Sequence, residues 1–229
     1  MDWTSGPFVG FDTETTGLIP GSSRLVTASI IFRNEDGDRV TNWLADPEVQ
    51  IPESAQQIHG ISTEYAREHG RPSIEVVEEV AVILADAMRS GVPIVAFNAG
   101  YDFGIMEGEL DRLGLPTLAS RLGDVRPVID PLVLDRALVK KRRGKRRLAD
   151  LMAVYGVTAD DSLHDAEVDT RATLDLLQQM IAGHPRLADF SLGQLHDFQQ
   201  QAHADWAADF EAFLRSRGKD AHISRNWLP

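Results

Sequence analysis

The sequence predicts an α/β fold, a five-stranded mixed sheet flanked by helices. Segments rich in Val, Ile, Thr and aromatic residues follow one another near the N-terminus, as in an antiparallel meander. Further strand-like segments then alternate with segments of helical periodicity, which is typical of parallel strands joined by helices. Hydrophobic residues make up 43% of the 229 residues, so the chain can build the core of one large domain.

The strands are identified by their composition and by the turn residues between them. In chain order they are residues 8–12, 24–33, 39–45, 92–97 and 125–130. The acidic turn at 35–38, which contains Gly37, joins the second and third strands as a hairpin. Pro127 interrupts the fifth strand, because proline cannot donate a hydrogen bond to a neighbouring strand.

The helices are identified by apolar residues at spacings of three and four. Segment 73–89 carries two such stripes, one containing Val77 and the other Val80, which predicts a helix packed on two sides. A further helix is predicted from 102 and ends at Gly114, a common helix terminator. The remaining helices are predicted at about 131–139, 147–155 and 163–181.

The C-terminal part predicts a helical appendage. Residues 191–194 have the capping-box pattern of a helix start. Apolar residues then recur at helical spacing, at Leu195, Phe198, Ala202, Trp206, Phe210 and Phe213. We expect one domain over residues 1–182 and a helical extension over 183–229 that packs back on it, with residues 183–185 as the linker.

The charge of the chain is unevenly distributed. There are 35 acidic and 23 basic residues, a net charge of −12, yet residues 140–147 hold seven basic side chains in eight positions. This arrangement indicates one local contact with a polyanion, and a solvated loop is the alternative. The chain has no cysteine, which excludes disulfide scaffolds and thiolate chemistry. Without a signal-peptide pattern or a long apolar span, we expect a cytoplasmic protein with no membrane contact.

Carboxylates occur where apolar elements end. Asp12 and Glu14 lie two residues apart on the first strand, so their side chains point the same way. Asp102 follows the fourth strand, and His164 and Asp169 flank the start of a later helix. Each acid alone is explained as a strand end, a cap or a first-turn residue. Together they suit two hard divalent cations, which can clamp a phosphodiester, with a histidine to accept a proton.

Three segments in this order, FDTETTG, FNAGYDFGIM and HDAEVD, resemble the motifs of the DEDDh exonucleases. This DnaQ-like family includes bacterial polymerase proofreading subunits and ribonuclease T. Residues 57–61, QIHGI, match a further family signature between the first two motifs, and the resemblance covers about residues 6–181. It implies a ribonuclease-H-like fold and hydrolysis of the 3′-terminal phosphodiester, with release of nucleoside 5′-monophosphates.

The resemblance also implies roles for individual residues. Asp12, Glu14, Asp102 and Asp169 would hold two Mg²⁺ or Mn²⁺ ions, with Asp12 bridging them, and His164 would be the general base. Residues implied to bind the substrate are Thr15, Thr16, Gly17, Leu18, Ile58, His59, Ile61 and Asn98. Leu18 and Ile61 would contact bases. The second motif departs from the frequent His-Asn, because Phe97 precedes Asn98, so no polar role is transferred to Phe97.

We expect DNA 3′ ends as the substrate, and RNA is the alternative, because the catalytic set does not distinguish the two. From the basic run, Arg142, Arg143, Arg146 and Arg147 are expected to contact phosphates that lead into the site. A polymerase or a sliding clamp is the candidate protein partner, and an inactive binding subunit is the rival of another class. Residues 194–198, QLHDF, resemble clamp-binding peptides, although their capping-box start favours a first helical turn.

Overall fold

The computed structural model describes residues 3–158 and 165–229. Within them a six-stranded mixed sheet has the order β4-β3-β2-β1-β5-β6. The strands are β1 Phe8–Thr15, β2 Leu25–Asn34, β3 Gly37–Asp46, β4 Arg71–Pro72, β5 Ile94–Val95 and β6 Val128–Ile129. The predicted α/β fold is therefore confirmed, with all five expected strands in place. The additional strand β4 has only two residues and pairs with the edge of β3.

Strand pairing determines where functional side chains can meet. β1 pairs with β2 in antiparallel fashion and with β5 in parallel, and β5 pairs in parallel with β6. The carboxyl ends of β1, β5 and β6 therefore lie at one edge of the sheet. β5 and β6 are shorter than predicted because each begins after a proline, Pro93 and Pro127, which has no N–H to donate.

Helices cover both faces of the sheet. They are α1 Glu53–His59, α2 Thr63–His69, α3 Ser73–Arg89, α4 Ala99–Arg112, α5 Leu118–Leu122, α6 Pro131–Leu138, α7 Leu148–Tyr155, α8 Ala166–Gly183 and α9 Leu192–Ser216. α1, α2 and α5 were not predicted, because helices of five to seven residues are too short to show a periodic apolar stripe. Two short 3-10 helices lie at Trp3–Ser5 and Pro185–Asp189.

The core consists of two main apolar clusters, one on each face of the sheet. Neighbouring strand residues alternate between them, as do Ile30 and Ile31 in β2. α3 and α4 pack on the face of the sheet that contains Phe11. α8 packs on the opposite face, where its Leu174 belongs to the same cluster as Ile31. None of the helices within residues 3–158 and 165–229 has the length and apolar character needed to cross a membrane.

The C-terminal segment packs against the β6 edge of the sheet. Gln199 of α9 accepts a hydrogen bond from the Asp130 N–H at 2.7 Å and donates one to the Val128 carbonyl at 3.0 Å. α9 thereby satisfies the backbone groups of an edge strand. Trp227 is buried in the cluster of the α3 face, and the predicted capping box at Ser191 is present. In the clamp-like segment Leu195 is fully buried, which removes it from any docking surface.

Candidate active site

Three predicted metal ligands meet at the carboxyl end of β1. Asp12 and Glu14 extend from β1 and Asp169 from the first turn of α8. Carboxylate oxygens of these three residues all lie within 4.8 Å of one another, and each side chain is partly buried. Oxygens at this separation from three carboxylates fit the hard ligand set that Mg²⁺ and Mn²⁺ prefer.

A glycine in β1 lets α8 approach the strand this closely. A Cβ added at Gly10 would lie 2.6 Å from the Thr170 Cγ2 atom and 2.9 Å from the Leu174 Cδ1 atom. The first distance is shorter than van der Waals contact, so β1 and α8 can pack in this way only around a residue without a side chain. Because Thr170 follows Asp169, the same approach brings the third carboxylate to β1.

Asp102 lies beside this cluster in the first turn of α4. Its side chain is only 2% exposed and accepts a hydrogen bond from the Thr13 hydroxyl at 2.7 Å. Thr13 lies between Asp12 and Glu14 in β1, so this hydrogen bond ties α4 to the strand that carries the other ligands. The structure thus gathers all four predicted carboxylates at one edge of the sheet.

The electrostatics of the cluster are those of acids held close together and largely buried. Burial, and then the charges of Asp102, Asp169 and Glu14, raise the pKa of Asp12 well above its usual value. Burial and the neighbouring carboxylates raise the pKa of Glu14 to about 8. Burial raises the pKa of Asp102 to about 7, although the Thr13 hydrogen bond opposes the shift. A divalent cation among these groups would reverse the effect, so the residues fit a metal site.

A cavity of about 310 Å³ opens beside Glu14. His59, Ile61 and Tyr65 line one part of it, and Asp165 lies near the start of α8. The Ile61 N–H donates to the His59 Nδ1 atom at 3.2 Å, and this hydrogen bond holds the imidazole ring of His59 in place. Of the predicted pocket residues, His59 and Ile61 therefore face this cavity. Ile58 is 53% exposed and is not among its lining residues.

The turn after β1 is held by internal hydrogen bonds. The Thr15 hydroxyl donates to the Gly17 carbonyl at 2.6 Å, and the Thr16 hydroxyl accepts from the Arg24 N–H at 2.9 Å. The Tyr101 hydroxyl, on α4, also donates to the Gly17 carbonyl, at 2.8 Å. These contacts hold a turn from which Leu18, 82% exposed, projects. Whether these four predicted residues touch a substrate stays a prediction.

Asp130, directly after β6, holds the starts of two helices. It caps α6, accepting from the Leu132 N–H at 2.9 Å. It also accepts from the N–H groups of Asn98 and Ala99, at 3.1 and 3.0 Å. Asn98 is exposed, has a positive φ of 64° and starts α4, so Asp130 fixes the beginning of the helix that carries Asp102. No local sequence signal predicts this contact across 32 residues.

The basic run is only partly available to a ligand. Arg142 and Arg146 both form ion pairs with the fully buried Asp135 of α6, at 2.6 and 2.8 Å. The sequence could not show which acid would lie beside them. Arg147 starts α7 and pairs with Asp150 while staying 70% exposed, and Arg143 is exposed. Phosphate contact therefore remains a prediction chiefly for Arg143 and Arg147.

His164, the predicted general base, lies outside the described residues. Its neighbour Asp165 is described and caps α8 by accepting a hydrogen bond from the Glu167 N–H at 2.9 Å. Asp165 also contributes to the raised pKa of Glu14. The proposed role of His164 therefore rests on the sequence motif alone.

Comparison with known proteins identifies relatives of this chain. A DNA polymerase III PolC-type from Streptococcus thermophilus is 30% identical over 181 residues, which are 77% of this chain and 11% of that one. The DNA polymerase III subunit epsilon of Treponema pallidum is 26% identical over 181 residues, 78% of each chain. This chain thus spans about a tenth of the length of the PolC-type relatives.

The fold is also found among solved structures. Escherichia coli exonuclease I, solved in complex with a dA16 oligonucleotide, superposes with a TM-score of 0.69 at 20% identity, covering 80% of this chain and 42% of that one. At this identity the likeness supports the ribonuclease-H-like fold. The family model described as exonuclease, of the ribonuclease T type, matches residues 9–177. Since that match covers most of the chain and includes all four clustered carboxylates, this chain belongs to the exonuclease family.

Proposed function

We propose that the protein is a metal-dependent 3′–5′ exonuclease that hydrolyses the 3′-terminal phosphodiester of DNA and releases nucleoside 5′-monophosphates. The observation that carries this proposal is the convergence of Asp12, Glu14 and Asp169 oxygens within 4.8 Å. A purely structural cluster of acids would be paired with cations. Among the described residues, Asp12 and Glu14 have no ion pair, and their raised pKa values reflect that lack of a counter-charge.

Four carboxylates would hold the metal ions: Asp12, Glu14, Asp102 and Asp169. Two bound Mg²⁺ or Mn²⁺ ions would supply positive charge that activates the attacking water and stabilises charge on the phosphate and leaving oxygen. The chain's own contribution is to hold the ligands in place before substrate arrives. The Thr13 hydroxyl orients the Asp102 carboxylate, and the close packing of α8 on β1 orients Asp169.

His164 accepts the proton of the attacking water in this mechanism. A histidine suits the task because its pKa lies near neutral pH, so it can act as a base at physiological pH. His59 is a weaker candidate for the same role. Burial lowers its pKa, and its Nδ1 atom already accepts the Ile61 N–H.

The terminal nucleotide occupies the cavity beside Glu14. Its volume of about 310 Å³ is suited to one nucleoside, and His59, Ile61 and Tyr65 provide flat and apolar surfaces for a base or sugar. Leu18 projects from the neighbouring turn and covers the terminal base. Thr15, Thr16 and Gly17 hold that turn. Asn98, exposed at the start of α4, contacts the nucleic-acid strand from the side away from this turn.

DNA is favoured over RNA because the relatives reported above are DNA polymerase III chains. The same observation favours a second candidate, a proofreading subunit that works together with a polymerase chain. The epsilon relative supports it most directly, since the two chains match over 78% of each. Both candidates would operate in the cytoplasm, and the proofreading subunit would do so together with the polymerase. The clamp is a weaker partner, because Leu195 of the clamp-like segment is buried.

The test is a cleavage assay with 5′-labelled single-stranded DNA, duplex DNA and RNA, each with Mg²⁺, Mn²⁺ or EDTA. We expect shortening from the 3′ end, mononucleotide products, and loss of activity in EDTA. Asp12→Asn should be inactive, whereas Asp86→Asn, which changes an exposed acid on α3, should retain activity. Activity of Asp12→Asn equal to that of the unmodified protein would refute the mechanism, and preferred cleavage of RNA would refute the choice of DNA.

A further inference from the structure

A groove leads away from the carboxylate cluster between α6 and α9. It consists of two adjacent cavities, of about 210 and 220 Å³, which share the side chain of Arg136. The first cavity is lined by Asn98 and Tyr101, at the start of α4. The Tyr101 hydroxyl donates to the Gly17 carbonyl at 2.8 Å, in the turn directly after the strand that carries Asp12 and Glu14, so this end of the groove adjoins the proposed catalytic site. We call the two cavities the α6–α9 groove.

Arg136 has an unusual environment in this groove. Its guanidinium lies 3.7 Å from the centroid of the Trp206 ring, and Trp206 in turn stacks on Phe210 with an interplanar angle of 14°. The cation–π contact with this stack restricts the position of the guanidinium. Within residues 3–158 and 165–229, however, Arg136 forms no hydrogen bond or ion pair, although the side chain is half-buried.

The two acids whose charges act on Arg136, Asp130 and Asp135, are already bound to other donors. Asp130 accepts hydrogen bonds from backbone N–H groups at the starts of α4 and α6. Asp135 accepts from Arg142, Arg146 and the Tyr155 hydroxyl. A half-buried guanidinium whose N–H groups lack acceptors is unfavourable in the free protein, which points to an external acceptor.

The chemistry of the groove favours a phosphodiester as that acceptor. Lys140 and Arg146 line the second cavity with Arg136, and Lys140, the first residue of the basic run, is exposed. Asp205 and Asp209 of α9 also line it, so the anion must bind on the α6 side. A planar guanidinium with free N–H groups binds two phosphate oxygens at once. This attraction favours the phosphate on a surface whose carboxylates would otherwise repel it.

We propose that Arg136, placed over the Trp206 ring, binds a backbone phosphate of the substrate strand upstream of the bond that is cleaved. This inference rests on the proposed nuclease function and extends it, because it adds a contact that only strands long enough to reach the groove can make. Short substrates occupy the carboxylate site alone, whereas longer ones gain affinity from Arg136.

The experiment compares a trinucleotide with a single strand of about 15 nucleotides, which is near the upper end of the roughly 4–16 nucleotides that typical single-strand sites span. Binding is measured by fluorescence anisotropy on the Asp12→Asn background, so that strands are not consumed, and trinucleotide cleavage is measured with the catalytic residues intact. Arg136→Ala should weaken binding of the long strand about tenfold or more. The slope of log affinity against log salt should decrease by about 0.7, the value for one phosphate on a single strand.

Two further variants separate this role from folding. Arg136→Lys retains the charge but loses the planar fork, so it should recover only part of the affinity while folding like the unmodified protein. Arg89→Ala removes the same charge from the last residue of α3, which leads into the amino end of β5 and not to the carboxyl ends of the strands, and should bind the long strand normally. Trinucleotide cleavage should be unchanged in all three variants.

The outcomes distinguish this proposal from the function on which it rests. If the unmodified protein shortens the long strand and Arg136→Ala binds it equally well, the phosphate site is refuted while the nuclease function stands. Equal loss of affinity in Arg136→Ala and Arg89→Ala would also refute it, because the effect would then be one of overall charge. If the unmodified protein neither binds nor shortens either strand, the proposed function and this inference fail together.

Discussion

Replacement of Gly10 by alanine should disrupt the active site without changing any residue of the catalytic set. The added Cβ would lie 2.6 Å from the Thr170 Cγ2 atom. Carbon atoms prefer to be about 3.5–4.0 Å apart, so α8 or β1 must move by about 1 Å. Asp169 lies on α8 directly before Thr170, and its carboxylate would move with the helix. A displacement of this size near reacting groups can reduce the rate about 100-fold.

The same substitution should lower stability measurably. Overpacking of a core typically costs about 1–3 kcal/mol. For a chain of this length each kcal/mol corresponds to about 2–4 °C in melting temperature, so we expect a decrease of a few degrees to about ten. The assay is a pair of measurements on Gly10→Ala, the rate of mononucleotide release and thermal unfolding followed by circular dichroism.

Two variants provide the controls. Gly183→Ala adds a methyl group at the end of the same helix, where no atom lies within 4 Å of it, and should leave rate and stability nearly unchanged. Thr170→Ser removes the clashing methyl group and retains the hydroxyl that donates to the Ala166 carbonyl. Combined with Gly10→Ala, it should restore part of the activity, giving a non-additive cycle. Unmodified activity and melting temperature in Gly10→Ala alone would refute the reasoning.

Three other predictions concern the supports and charges of the site. Trp227→Phe removes the 3.3 Å hydrogen bond to Asp130 and keeps an aromatic side chain at this buried position. Turnover should decrease a few-fold, with about 1 kcal/mol of destabilisation in urea titrations. Asp135→Asn leaves two arginine side chains without their buried partner and should cost about 3 kcal/mol in the same titrations, whereas Asp150→Asn, which breaks an exposed pair, should barely change the midpoint. In EDTA, the melting temperature should fall as the pH rises from about 4 to 8. The pKa of Glu14 is about 8 in the folded protein, so the folded state binds this proton more tightly than the unfolded state and loses stability when the proton is released. Mg²⁺ should remove this fall in melting temperature. Equal melting temperatures with and without EDTA at pH 8 would contradict this last prediction.

The sequence predicted best those features that are encoded by neighbouring residues. Composition identified β1 as a strand, and a spacing of two placed Asp12 and Glu14 on the same side of it. Asp102 and Asp169 were grouped with them because each lies where an apolar element ends, and the family resemblance then implied their role as metal ligands. Short helices such as α1 and α2 were missed because seven residues carry almost no periodic signal.

Contacts between distant residues were the least predictable. Asp135 resembles an ordinary surface acid of an amphipathic helix in the sequence, but it is fully buried and pairs with two residues of the basic run. Its burial follows from how α6 packs between α8 and α9, which no local pattern specifies. The prediction that four arginines of the basic run contact phosphates therefore could not include the ion pairs that two of them form with Asp135.

The geometry of Asp102 depends on residues that lie beyond the match to the exonuclease family, which ends at residue 177. Asp130 holds the start of α4 through two N–H groups, and α9 and the C-terminal tail in turn hold Asp130, through Gln199 and Trp227. Gly100, in the first turn of α4, leaves room for the Trp227 carbonyl, so the tail contacts the helix directly. Asp102, the proposed metal ligand from a family motif, is thus positioned by a C-terminal segment that lies outside the family match. Because the same segment supplies Trp206 to the α6–α9 groove, one element both orients the proposed metal ligand and forms part of the proposed path of the strand.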